Sequence, residues 1–204
     1  AEDEARNRSG VERQRLDDEL AGLEARREAA RVEVEALEVF AIEQRAAALI
    51  PSLVGGDADL YQECLPVLRC FAENISHAGA VGDGHRMKLL HNYVSLGFVA
   101  LLSEAAACAR RAGIEPEVLV DVLAKGGGGS VALERVKPYW LSGDRSALQF
   151  AMSNAQKDLD YYCTMAGQAE AAHRISDAIL ATYQQGVEAA GAQAGVLQLT
   201  DVLS

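Results

Sequence analysis

"GDGHRMKLLHNYVSLGFVALLSEAAACARRAG", residues 82–113, decides the fold class of this chain. Glycine turns lead into a long apolar stretch whose helix runs, on the sequence, from about His85 to Ala112. Arg110 and Arg111 oppose the dipole of its last turn, and Gly113 supplies a left-handed stop. Met87, Leu89, Leu90, Val94, Leu96 and Phe98 fall nearly all round the helix, which predicts the centre of a helical bundle. Glu104 within the run, with Arg86, Lys88 and His91 ahead of it, favours a core helix over a membrane span.

Downstream, Pro116 suits the first turn of a further helix. Helices are predicted at about 116–125, 130–137, 146–166 and 170–190, broken by Gly126–Gly129, by Pro138 to Asp144 and by Gly167. Upstream, "SLVGGDADLYQECLPVLRCF" reads as a short strand, a Gly-Gly turn and a helix capped by Asp57. "AENISHAGAVGDG" reads as a brief extended segment ending in glycine turns.

The composition changes near Pro51. Residues 1–50 hold 13 Asp and Glu against 8 Arg, with no Lys, Cys or Pro. Leu16, Leu20, Leu23, Ala30, Val34, Leu37 and Ala41 follow a 4-3 spacing interrupted by Arg27. That stripe predicts a long helix that forms a coiled coil, lies on a partner, packs on its own domain, or stands as a solvated charged helix. The expected organisation is therefore a helical segment over 1–50, a short β/α segment over 51–81 and an all-α domain over 82–204.

A net charge of -11 argues against a nucleic-acid partner, because phosphate contacts need clustered Lys and Arg. Cys64, Cys70, Cys108 and Cys163 lack CxxC spacing and read as reduced, mostly buried thiols of a cytoplasmic protein. His77, His85 and His91 match no helical i, i+4 pair, so no metal site is expected. His173 has no evident partner, and Tyr139, Trp140, Tyr161 and Tyr162 read as bundle packing.

The glycines before Lys88 raise the question of a phosphate loop. A Walker loop needs a glycine before its lysine and Ser or Thr after it, whereas Met87 and Leu89 flank Lys88. A dinucleotide fingerprint needs a small residue where Met87 stands. "KGGGGSVA" contains G-x-G-x-x-A at Gly127, Gly129 and Ala132, but no βαβ unit frames it, so it reads as a helix-breaking loop. Lys88 and Asn92 themselves lie four apart on one helix face. A lysine there can move a proton, and an asparagine beside it can orient a hydroxyl or carboxylate. On residue types alone, a surface Lys and Asn is the plainer reading.

The order of motifs resembles the β-hydroxyacid dehydrogenase family, which includes 3-hydroxyisobutyrate and 6-phosphogluconate dehydrogenases. The resemblance runs over about 53–204 through "LVGGDADLYQECLPVLRCFAENISHAGAVGDGHRMKLLHN", "SEAAACARRAGIEPEVLVDVL", "GGGGS" and "QKDLDYY". Its most specific part is G-x-G-x-x-x-K-x-x-x-N, matched by Gly82, Gly84, Lys88 and Asn92. It implies a mainly α bundle of the 6-phosphogluconate dehydrogenase C-terminal type, often dimeric, that follows a Rossmann domain binding NAD or NADP. It implies that Lys88 is the catalytic acid/base, that Asn92 holds the substrate, and that Lys157 contacts the cofactor with Asp158 as its companion. The substrate it implies is a small hydroxy acid or semialdehyde.

The sequence departs from that pattern before residue 53. No G-x-G-x-x-G strand-turn-helix is found there, and 51–81 resembles only the end of such a domain. The expectation is an incomplete oxidoreductase chain, or alternatively a non-catalytic helical dimerisation scaffold derived from the same domain.

Overall fold

The computed structural model describes residues 14–15, 17–28, 51–70 and 72–204. It is mainly α, with one small sheet, and divides into two compact units, Ala1–Asp83 and Gly84–Ser204.

In the first unit, residues 17–28 form helix α1. Arg15 pairs with Glu19 along it, and Leu20 and Leu23 are exposed. Most of the 4-3 stripe, including Leu16, Ala30, Val34, Leu37 and Ala41, lies outside the described residues. Residues 51–79 of the unit form a β-α-β element: β1 (Pro51–Gly55), α2 (Ala58–Leu68) and β2 (Asn74–Gly79), with the two strands parallel. Pro51 pairs with Asn74 and Val54 with His77, and the register shifts between Val54 and Gly55. A parallel pair needs a crossover, and α2 supplies it.

Asp57 caps α2, accepting from the backbone N–H groups of Asp59 and Leu60 at 3.1 and 3.0 Å. Those hydrogen bonds hold its carboxyl below the ordinary value. The glycine turn and helix start thus have the outline of a phosphate-binding loop, but a carboxylate already occupies the helix's free N–H groups. His77 Nε2 meets the Gly56 carbonyl at 2.8 Å and its ring stacks on Tyr61, tying β2 back to the same turn.

The second unit is built around α3 (Asp83–Arg111). Around it come α4 (Pro116–Lys125), α5 (Val131–Ser142), α6 (Met152–Gln168), α7 (Arg174–Ala190), a 3-10 turn (Val196–Gln198) and α8 (Leu199–Leu203). The core gathers Leu96 and Val99 of α3, Leu133 of α5, Leu159 of α6, Tyr183 of α7 and Leu199 of α8. Each such aliphatic side chain contributes about 1.5–3 kcal/mol on burial.

The α3 helix is not apolar-buried all round, contrary to the sequence expectation. Leu96, Val99 and Leu102 are buried, whereas Met87, Leu90, Val94, Phe98 and Leu101 are exposed. Its neighbours cover one face only, so hydrophobic composition overstated its burial. By length and composition α3 could cross a membrane, yet half of that apolar window is buried inside the unit. Its end follows expectation: Gly113 adopts φ +72°.

Several helix boundaries also moved: Gly167 lies inside α6 instead of breaking it, and α7 begins at Arg174, not near 170. Helix α5 runs through Pro138 to Ser142, because Tyr139 and Trp140 pack on the core and Gly143, at φ 75°, caps the last turn. Helix α6 begins at Met152, not near 146. Ala151 bridges to Gly195, while Met152 N donates to Ala194 O at 2.8 Å and Val196 N to Phe150 O at 2.9 Å. Those bonds hold Ala151 extended and set the helix start at Met152. Cys70 and Cys108 are exposed and Tyr161 is exposed too, so neither the buried-thiol nor the all-packing aromatic expectation holds for them.

Candidate functional site

Asn92 and Asp158 meet where α3 crosses α6. Asn92 is 6% exposed and Asp158 4%, two polar groups in a wall that otherwise buries hydrocarbon. Asn92 Nδ2 donates to Asp158 Oδ2 at 2.7 Å, across 66 residues of sequence. A carboxylate only accepts, so the amide nitrogen must face it, and the orientation of the Asn92 amide is settled by chemistry. Its Oδ1 then accepts from His91 Nδ1 at 3.1 Å, which requires the Nδ1–H form of that ring.

One α6 turn further on, the contact becomes aromatic. Tyr93 stacks on Tyr162 with centroids 4.2 Å apart. Burial, with Tyr93 alongside, pushes the Tyr162 phenol above its ordinary value. Above that again, Tyr183 donates from its fully buried hydroxyl to Leu96 O at 3.1 Å. Polar, aromatic and polar contacts in sequence fix the height and rotation of α3 beside α6 and α7.

Lys88 precedes Asn92 by one helical turn on the same face, about 6 Å along the axis, and is half-buried. Lys157 precedes Asp158 on α6. Its side chain is 46% exposed and its Nζ lies 3.8 Å from Asp158 Oδ1. The structure therefore brings Asn92 together with the Lys157–Asp158 pair. The closest partner of Asp158 there is Asn92, and Lys157 stands beside it at the outer edge of ion-pair range. The sequence carried no sign of this, because nothing in either helix alone marks a contact between positions 92 and 158.

A second polar group lies at the start of α7. His173 Nδ1 meets the Asp177 carboxylate at 2.9 Å, so His173 does have a partner after all. That hydrogen bond holds the Asp177 carboxyl below its ordinary value. Burial pushes the nearby Cys163 thiol up, which keeps it protonated and a poor nucleophile. No group of three or more His, Cys, Asp or Glu suited to a metal ion occurs among the described residues.

Comparison with known proteins agrees with this architecture. A 3-hydroxyisobutyrate dehydrogenase of Pseudomonas aeruginosa is 34% identical over 87 residues, covering 43% of this chain and 29% of its own. An uncharacterised oxidoreductase of Synechocystis is 37% identical over 108 residues, 52% of this chain and 37% of its own. The chain thus spans well under half the length of these curated relatives. The solved 3-hydroxyisobutyrate dehydrogenase of Mycobacterium tuberculosis with L-serine superposes with a TM-score of 0.69 at 22% identity, over 76% of this chain and 55% of that one. The family described as the NAD-binding domain of NADP-dependent 3-hydroxyisobutyrate dehydrogenase matches residues 82–203, more than half of the chain, and the chain belongs to it.

Proposed function

We propose that this chain supplies the proton-transferring and substrate-holding part of an NAD(P)-dependent β-hydroxyacid dehydrogenase acting on a small hydroxy acid or semialdehyde. The observation that carries the reading is the buried 2.7 Å bond from Asn92 Nδ2 to Asp158. It holds an amide rigidly one turn from a lysine, the arrangement a substrate oxygen needs beside a proton donor.

Lys88 is the acid/base. Its ammonium stabilises negative charge on the substrate oxygen and gives it a proton; in the oxidative direction the amine takes the hydroxyl proton. Asn92 donates to a substrate oxygen. The nicotinamide cofactor, NAD or NADP, supplies or accepts the hydride when bound. The residues present suit one end of that cofactor: Lys157 offers a part-exposed cation beside the Asn92–Asp158 pair. Asp57 fills the glycine turn at the start of α2 by taking the N–H groups of Asp59 and Leu60, so a pyrophosphate would need another such turn. Full turnover on this reading needs that turn from a complete dinucleotide-binding domain.

The same proposal takes residues 51–81 as the end of such a domain and 82–204 as the helical domain. It takes 1–50 as a coiled-coil segment and the chain as a cytoplasmic homodimer. Exposed Leu20 and Leu23 on α1, and four cysteines free of disulfides, support those assignments.

The test is a titration of isotope-labelled chain with 3-hydroxyisobutyrate, and separately with NADPH, followed by NMR. Hydroxy-acid shifts should cluster at Lys88 and Asn92, and NADPH shifts at Lys157. In chain joined to a dinucleotide-binding domain, Lys88→Ala should cut turnover by at least about a hundredfold with the helical spectrum unchanged. Shifts confined to other helices would refute the assignment.

A further inference from the structure

We propose that Asp158 is a positioning residue for substrate, acting through Asn92 with one carboxylate oxygen while the other faces Lys157. This rests on the placement of Asn92 in the substrate site argued above.

An asparagine amide is ambiguous by nature. It carries two N–H donors on one side and a carbonyl acceptor on the other, and a half-turn about its last bond exchanges them. Left to itself on a helix face, Asn92 could present either to a ligand. The wrong choice would set a carbonyl lone pair against an oxygen of an anionic substrate.

Two contacts remove the ambiguity. Asp158 Oδ2 takes one Nδ2 proton at 2.7 Å, and His91 Nδ1 holds Oδ1 at 3.1 Å. What remains on the nitrogen side is a single N–H, fixed in place, so Asn92 presents one committed donor to a ligand oxygen there, with the second Oδ1 lone pair held on the opposite side. The carboxylate is the stronger of the two constraints, because it is charged and almost wholly buried. Lys157 faces the other oxygen, Oδ1, at 3.8 Å, longer than a good hydrogen bond, and leaves Oδ2 to the amide.

A second consequence concerns the choice of residue type. An amide at 158 would offer Asn92 an acceptor in one rotamer and a donor in the other, restoring the ambiguity in part. A carboxylate offers only acceptors.

The test uses the whole chain and 3-hydroxyisobutyrate as the probe, with Asp158→Ala and Asp158→Asn beside wild type. The side-chain NH₂ pair of Asn92, assigned through Asn92→Ala, reports orientation directly, and backbone shifts report affinity of the folded fraction only. In wild type one Asn92 proton should be well downfield and protected. In Asp158→Ala the pair should collapse toward free-amide positions, and probe affinity should fall at least tenfold. Asp158→Asn, which keeps an acceptor, should stay within about threefold to fivefold of wild type and carry the fold if the alanine variant does not. Unchanged probe affinity in folded Asp158→Ala or an unchanged Asn92 pair would overturn the proposal while leaving the substrate site standing. Wild type that binds no probe at Lys88 or Asn92 would instead remove the substrate reading, and the positioning role with it.

Discussion

Replacing Asn92 by aspartate tests the Asn92–Asp158 contact by reversing its sign. In Asn92→Asp a second carboxyl sits where Nδ2 lay, 2.7 Å from Asp158 Oδ2. Both positions are less than a tenth exposed, so water cannot separate the charges. Two carboxylates at that distance do not both ionise, and the pair keeps one shared proton. An unfolded aspartate has a pKa of about 3.9. Holding one proton at pH 7 against that value costs about 1.36 kcal/mol for each of about 3 pH units, or about 4 kcal/mol. The folded pKa of the pair is raised, so its favourable contribution is complete below about pH 4 and is lost as pH rises toward the folded value. Lys157, within reach of the pair, can lower the figure, so about 4 kcal/mol is its upper end. Against a total stability of about 5–15 kcal/mol this is a large share. The assay is urea unfolding followed by fluorescence of Trp140, the single tryptophan, which sits against the core and donates to Thr200 Oγ1 at 3.1 Å. Between pH 7 and pH 4.5 the variant should gain about 3 kcal/mol relative to wild type, about 1.36 kcal/mol per unit. The reasoning fails if the variant's stability follows the wild-type pH profile.

Two further substitutions test the frame behind the site. Tyr183→Phe removes the hydroxyl that donates to Leu96 O and should cost about 1 kcal/mol, read as a lower urea midpoint at unchanged slope; no loss would mean that the hydroxyl bond does not hold α3. Gly186→Ala puts a Cβ 2.7 Å from Met152 Sδ and 3.0 Å from Leu199 Cδ1. Overpacking of about 1–3 kcal/mol should outweigh the roughly 1 kcal/mol gain in helix propensity, so the same assay should show net destabilisation.

The elements were readable wherever local chemistry was decisive. Asp57 announces its helix, Gly113 and Pro116 punctuate the chain, and Gly82 to Asn92 carries a spacing specific enough to name a family. Reading failed where a long-range contact overrode local preference. The strand-like bridge of Ala151 to Gly195 delays α6, and aromatic packing carries α5 through Pro138. The α3 stripe from Met87 to Leu101 shows the same limit for burial, since hydrophobicity cannot reveal which face lacks a neighbour. In the candidate site, Lys88 and Asn92 share one helix and could be paired from spacing. Asp158 lies on another helix, and its contact with Asn92 exists only after packing.

That difference explains how the candidate site holds its shape. Lys88 has a long, flexible side chain, so its useful position depends on the helix beneath it. The Asn92–Asp158 bond anchors that helix one turn from Lys88, and the Tyr183 hydroxyl anchors it again at Leu96. At the far end of α3, Arg110 meets Asp201 at 3.2 Å and Arg111 donates to Ser204 O at 2.9 Å. The anchors differ in consequence because they differ in what they hold. Those at Leu96 and beyond Arg110 bear on backbone and surface, so weakening them lowers stability without turning any group near Lys88. On the proposed reading, the one at Asn92 bears on a side-chain amide whose orientation decides what a ligand meets. Tyr183→Phe should therefore leave the binding of a hydroxy acid to the folded chain unchanged, while Asp158→Ala should weaken it.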